Sequence, residues 1–197
     1  LSNYTSDSAL IDKLWLEIII NYSNKKRYYH NLTHLDNFLK QITCFKEDFK
    51  NFNIALFSMY YHDIIYKATK KDNEEKSANL AISRLKEINF PEENIEICKI
   101  QILATKGHGL YSDLDLNLFL DGDLSILGQD WIIYEQYYQQ VRKEYAIYPY
   151  FMYKEGRKNV LSYFLAMERI FKTDQFFDKY EKKARDNLTE ELSNLNK

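Results

Sequence analysis

The sequence predicts an all-α protein, and two observations carry that prediction. Apolar residues recur at three- and four-residue spacings almost throughout the 197 residues, which is the helical period. Only 5 Gly and 2 Pro occur, which starves the chain of hairpin turns. A first helix is expected over about 8–22, opened by Ser8, with an apolar run interrupted by Asp12, Lys13 and Glu17. The stretch RYYHNLTHLDNFL starts a second over 31–50, and the strongly apolar LFSMYYHDIIY lies in a third over 53–66. Helices over 73–89 and 92–106 follow the polar loop KATKKDN. Beyond the loop GHGLYSDLDLN come 118–128, 130–146 and 151–172, and a Thr173–Asp174 cap opens the last at 174–194.

The length fits one domain over 1–197, with a motif-bearing core at about 27–128 and the C-terminal helices at about 130–194 packed on it. With 17 Tyr and 12 Phe, much of that core is expected to be aromatic. A formal net charge of −2 leaves no broad basic field for duplex nucleic acid, although a small nucleotide is not excluded. Cys44 and Cys98 sit among apolar helical residues and read as reduced, buried thiols, which points to the cytoplasm. No uninterrupted apolar stretch approaches a membrane span, so no membrane partner is expected. A homo-oligomer is allowed but not required.

Two of only four histidines, His30 and His34, stand four apart on one helix face, and His62 and Asp63 are adjacent. Neighbouring side chains leave a helix about 100° apart, yet both can converge on an ion beside it. A lone His on an apolar helix is more often a hydrogen-bonded core residue than a ligand. Here Asp63 stands between SMYYH and IIY, where a carboxylate is costly unless paired or metal-bound. Imidazole and carboxylate suit zinc, iron, manganese and related divalent ions, and further ligands are available from His108, Asp121 and Asp123.

The order His, then His-Asp, then a distant Asp, all on helices, resembles the HD-domain metal-dependent phosphohydrolases. The blocks RYYHNLTHL, YYHDIIY, DNEEKSA, ILATKGH, FLDGDLSILG, YEQYYQQVRKEY and EKKARDNL look like successive blocks of a bacterial group of predicted phosphohydrolases in that superfamily, from about Arg27 to Leu188. The resemblance implies a helical HD-type bundle whose single divalent ion (Mn, Co, Ni, Zn, Fe or Mg) is held by His34, His62, Asp63 and Asp123. His34 is preferred to His30 because the apolar run of its helix follows it. Asp123 is preferred to Asp121 because it precedes LSIL, which leaves Asp121 as an alternative or supporting ligand.

The implied reaction is hydrolysis of a phosphate ester of a nucleotide or similar small metabolite by metal-activated water. Asp63 and Glu74 then carry the catalysis, Glu74 orienting water or a proton from eleven residues beyond Asp63. Arg27, His30, Lys106 and His108 are candidates for phosphate contacts, while Arg142 and Arg157 are expected to pair with acids or stack on rings. With His34 and His62 assigned, too few imidazoles remain for a two-metal site. Lys67 stands where the group has an acid. The rivals are a non-catalytic HD-type binding or sensing module, a di-iron HD-type oxygenase, and a protein interface built on aromatic faces over core histidines.

Overall fold

The computed structural model describes residues 2–197. Among these are nine α-helices, two short 3-10 turns and no strand, as the helical period and the shortage of Gly and Pro require. The chain divides into two compact units, residues 1–120 and 121–197.

In the first unit, α1 (Ser8–Tyr22) is capped by Asp7, one residue earlier than expected, whose carboxylate accepts from the Leu10 N–H at 3.0 Å. It buries Leu14, Ile18 and Tyr22 at four-residue spacing. Asn31 caps α2 (Leu32–Cys44), accepting from Thr33 and His34 N–H, and the buried stripe is His34, Leu35, Phe38 and Ile42. The central helix is α3 (Phe52–Tyr61), which buries Ile54, Ala55, Phe57, Ser58, Met59 and Tyr61 and packs against α2, α4 (Asn73–Glu87) and α5 (Glu92–Ala104). Asp115, near the start of α6 (Leu114–Leu124), accepts from the Lys50 and Asn51 N–H groups and fixes the entry to α3.

Several boundaries differ from expectation for local reasons. The helix expected over 31–50 ends at Cys44 and gives way to a 3-10 turn, Lys46–Asp48. The helix expected over 53–66 ends at Tyr61, because the following backbone is bonded elsewhere: Arg27 takes the Asp63 and Ile64 carbonyls, and the Ser77 hydroxyl bonds both Ile65 N–H and C=O. Cys44 is exposed, contrary to the expected burial, whereas Cys98 is buried.

The second unit contains the 3-10 turn Ser125–Gly128, α7 (Trp131–Glu144), α8 (Tyr150–Ala166) and α9 (Asp174–Asn196). α9 packs on that 3-10 turn and on α8. A Cβ on Gly128 would lie 2.6 Å from the Tyr180 Cβ, so only glycine allows this approach. The helix expected to reach 172 stops at Ala166. Ahead of α9, Glu181 accepts from the Ile170 and Phe171 N–H groups, and Asp121 accepts from the Lys172 N–H, Thr173 N–H and Thr173 hydroxyl. Among the described residues, no helix is long and apolar enough to cross a membrane.

Arg157 and Glu191 form a buried bidentate pair at 2.7 and 2.8 Å, with the Tyr134 hydroxyl donating to the same carboxylate and the Tyr137 ring under the guanidinium. Arg142 lies over the Tyr153 ring and donates to the Tyr145 and Tyr148 carbonyls, so both arginines behave as expected. Removing one partner of a buried pair leaves the other charge uncompensated. Glu191→Ala should therefore lose about 3–5 kcal/mol in urea unfolding, and Glu191→Leu with Arg157→Met should recover most of it.

Candidate metal centre

The N-terminal turn of α2 and the C-terminal end of α3 meet at two imidazoles. His34 Nε2 and His62 Nε2 are 3.1 Å apart, and the two side chains are 5% and 1% exposed. The last helical bond of α3 runs from His62 N–H to the Ser58 carbonyl, and His62 Nδ1 lies 2.7 Å from the Met59 carbonyl. A carbonyl only accepts, so the proton of His62 sits on Nδ1 and Nε2 presents its lone pair. That lone pair faces His34 Nε2 and, at 3.3 Å, the Asp63 Oδ2. A lone pair set against a carboxylate oxygen needs positive charge between them, from a proton or a cation.

The spacing fits a cation. Two ligands each about 2.0–2.1 Å from one ion lie roughly 2.9–3.4 Å apart at octahedral or tetrahedral edges. Both the 3.1 Å and the 3.3 Å separations fall in that interval. Burial, followed by His62 and His30, holds the His34 pKa well below its usual 6.5, so His34 is neutral near pH 7, the form a metal binds. Burial would raise the Asp63 carboxyl, but positive charge at His62, with His30 behind it, outweighs burial and holds the carboxyl below the usual range, hence ionised. His34 and His62 therefore have the spacing and protonation of a ligand pair, and Asp63 lies beside His62.

His30 stacks on Tyr66 at 4.1 Å, and its Nε2 is 3.8 Å from Asp63 Oδ2, so it flanks the group. Arg27 is placed as a brace. Its guanidinium donates to the His30, Asp63 and Ile64 carbonyls at 3.3, 2.7 and 2.8 Å and lies over the Tyr22 ring, while the Tyr22 hydroxyl accepts from the Asp63 N–H. Glu74, in the first turn of α4, has its pKa raised by burial and by Asp63 and Glu75, against Lys106, whose Nζ is 3.9 Å away. Lys106 also bonds Glu75 and the Lys71 carbonyl. His108 stands two residues beyond Lys106 in a left-handed backbone conformation, φ 48°.

Asn73 and Ser77 escaped the sequence reading. The Asn73 amide bonds Lys67 N–H and the Lys67 and Lys70 carbonyls, and Ser77 bonds Ile65. Together they shape the loop that follows His62 and Asp63, and only their place in the DNEEKSA block marked them. Asp121 is fully buried with both oxygens on Lys172 and Thr173 donors. Asp123 lies in the last turn of α6, partly buried. It contributes, with Asp121 and Glu181, to the negative field at Lys172, whose pKa burial nevertheless lowers to about 8.

Comparison with known proteins gives no match to this chain among family models, curated proteins or solved structures.

The depressed His34 pKa fixes the sign of a pH dependence. Between its folded value and the unfolded value near 6.5, the unfolded chain binds a proton that folded His34 does not, so stability falls as the pH drops below about 6.5. Urea unfolding of chelator-treated protein should lose up to about 1.4 kcal/mol per pH unit from this group, and His34→Asn should flatten that slope.

Proposed function

We propose that this chain is an HD-type metal-dependent phosphohydrolase acting on a phosphate ester of a nucleotide or similar small metabolite. The observation that carries the reading is the buried His34–His62 pair, whose 3.1 Å separation is that of two ligands on one ion, with Asp63 beside His62. The resemblance to HD-type sequences adds Asp123 as the fourth ligand. Asp121, committed to backbone and hydroxyl donors, is the weaker alternative.

A divalent ion bound there supplies Lewis acidity toward a phosphoryl oxygen and makes water a better nucleophile near neutral pH. The chain does the rest. Glu74, with its raised pKa and its field shared with Asp63, is the group that takes or returns a proton in this reading. Lys106 and His30 supply positive or donor groups at the flank, with His108 in the adjoining turn. Arg27 and Tyr22 act through Asp63 by holding its backbone.

Elemental analysis of protein purified without chelator should find about one transition metal per chain. His62→Ala and Asp63→Ala should lose it while keeping their helical circular dichroism. Glu74→Gln should keep the metal and lower hydrolysis of a responsive phosphate ester by about 10²–10⁴. Bound metal with no turnover across a panel of phosphomonoesters and nucleotides would identify a binding module instead, and two irons per chain an oxygenase.

A further inference from the structure

Two loops beside the candidate centre carry lysines that, among the described residues, have no acid within ion-pair distance. Lys25 and Lys26 lie in the turn after α1, and Lys67, Lys70 and Lys71 in the loop after Asp63, all exposed. Arg27 staples these loops to each other by bonding the Asp63 and Ile64 carbonyls from its place next to Lys26. Both backbones are fixed. Asn24 accepts from the Lys26 N–H through its side chain and from the Arg27 N–H through its carbonyl, Asn73 clamps Lys67 and Lys70, and Lys106 holds the Lys71 carbonyl.

The nearby carboxylates are engaged elsewhere. Asp72 pairs with Lys76 at 2.8 Å, with Lys70 adding a weaker field, and Glu74 and Glu75 face Lys106. Among the described residues, none of the five lysines stands within ion-pair distance of an acid. Like charges held on clamped backbone repel one another, and a polyanion relieves that repulsion.

We infer that these five lysines form a recognition rim for a linear polyphosphate, the tail of a nucleoside di- or triphosphate or its inorganic equivalent. The inference rests on the phosphohydrolase reading for its substrate, which would place one phosphate at the centre and the remainder on the rim. The chemistry favours a short polyphosphate over nucleic acid, because the basic charge is confined to two loops of a chain with net charge −2.

The test is calorimetric titration of chelator-treated full chain at low salt with inorganic tripolyphosphate and, separately, orthophosphate. Wild type should bind tripolyphosphate about tenfold or more tightly than orthophosphate, with affinity falling as salt rises. The triple variant Lys67→Gln, Lys70→Gln, Lys71→Gln should weaken tripolyphosphate binding about tenfold. A charge-matched control, Lys40→Gln, Lys46→Gln, Lys86→Gln, should stay within about twofold of wild type. No preference for tripolyphosphate, or equal losses in the two triple variants, overturns the rim. Metal content of untreated aliquots reports separately on the centre: absent metal with binding intact removes the phosphohydrolase reading alone, and metal with no tripolyphosphate binding removes the rim alone.

Discussion

The guanidinium of Arg27 is the constraint on which the candidate centre depends. It donates to the His30, Asp63 and Ile64 carbonyls, groups that would otherwise compete for water or for continuation of α3. Capturing carbonyls just beyond Tyr61 stops that helix at the point where His62 and Asp63 diverge toward α2. The same contacts join the segment before α2 to the segment after α3, so one side chain sets the positions of His30, Asp63 and the lysine-bearing loops. Charge-assisted bonds to carbonyls are stronger than neutral ones, and Tyr22 beneath the guanidinium adds a cation–π contact.

Around that brace, burial sets the protonation states. His34 is desolvated and neutral, while positive charge at His62, with His30 behind it, holds the Asp63 carboxyl below the usual range. Asp121 shows the contrasting case: burial raises its pKa, and its oxygens are occupied by Lys172 and Thr173 donors that organise the start of α9. The two aspartates differ in what faces them, amide N–H and hydroxyl donors for Asp121 and imidazole nitrogens for Asp63. Only the latter arrangement calls for added positive charge, from a proton or a cation.

The helical class was legible because a chain with so few Gly and Pro has little means of forming hairpins, and α1 over Ser8–Tyr22 follows its apolar spacing directly. The end of α3 was not legible: Ile64, Ile65 and Tyr66 prolong the apolar pattern, yet their burial comes from a loop tied down by Ser77 and Arg27. His34, His62 and Asp63 stood out as rare polar residues in apolar surroundings. Arg27 read as a phosphate contact because its target carbonyls lie about 36 residues away, a distance that no local pattern encodes. Asn73 looked like loop polarity, although its amide folds back on the Lys67 carbonyl.

The most direct test of the central claim is anomalous diffraction from crystals grown with manganese or zinc. The account predicts one peak within about 2.0–2.3 Å of both His34 Nε2 and His62 Nε2, with an Asp63 oxygen also in reach. No peak there, with a 3.1 Å contact between the imidazoles retained at saturating metal, would show that a shared proton rather than a cation holds the two rings together.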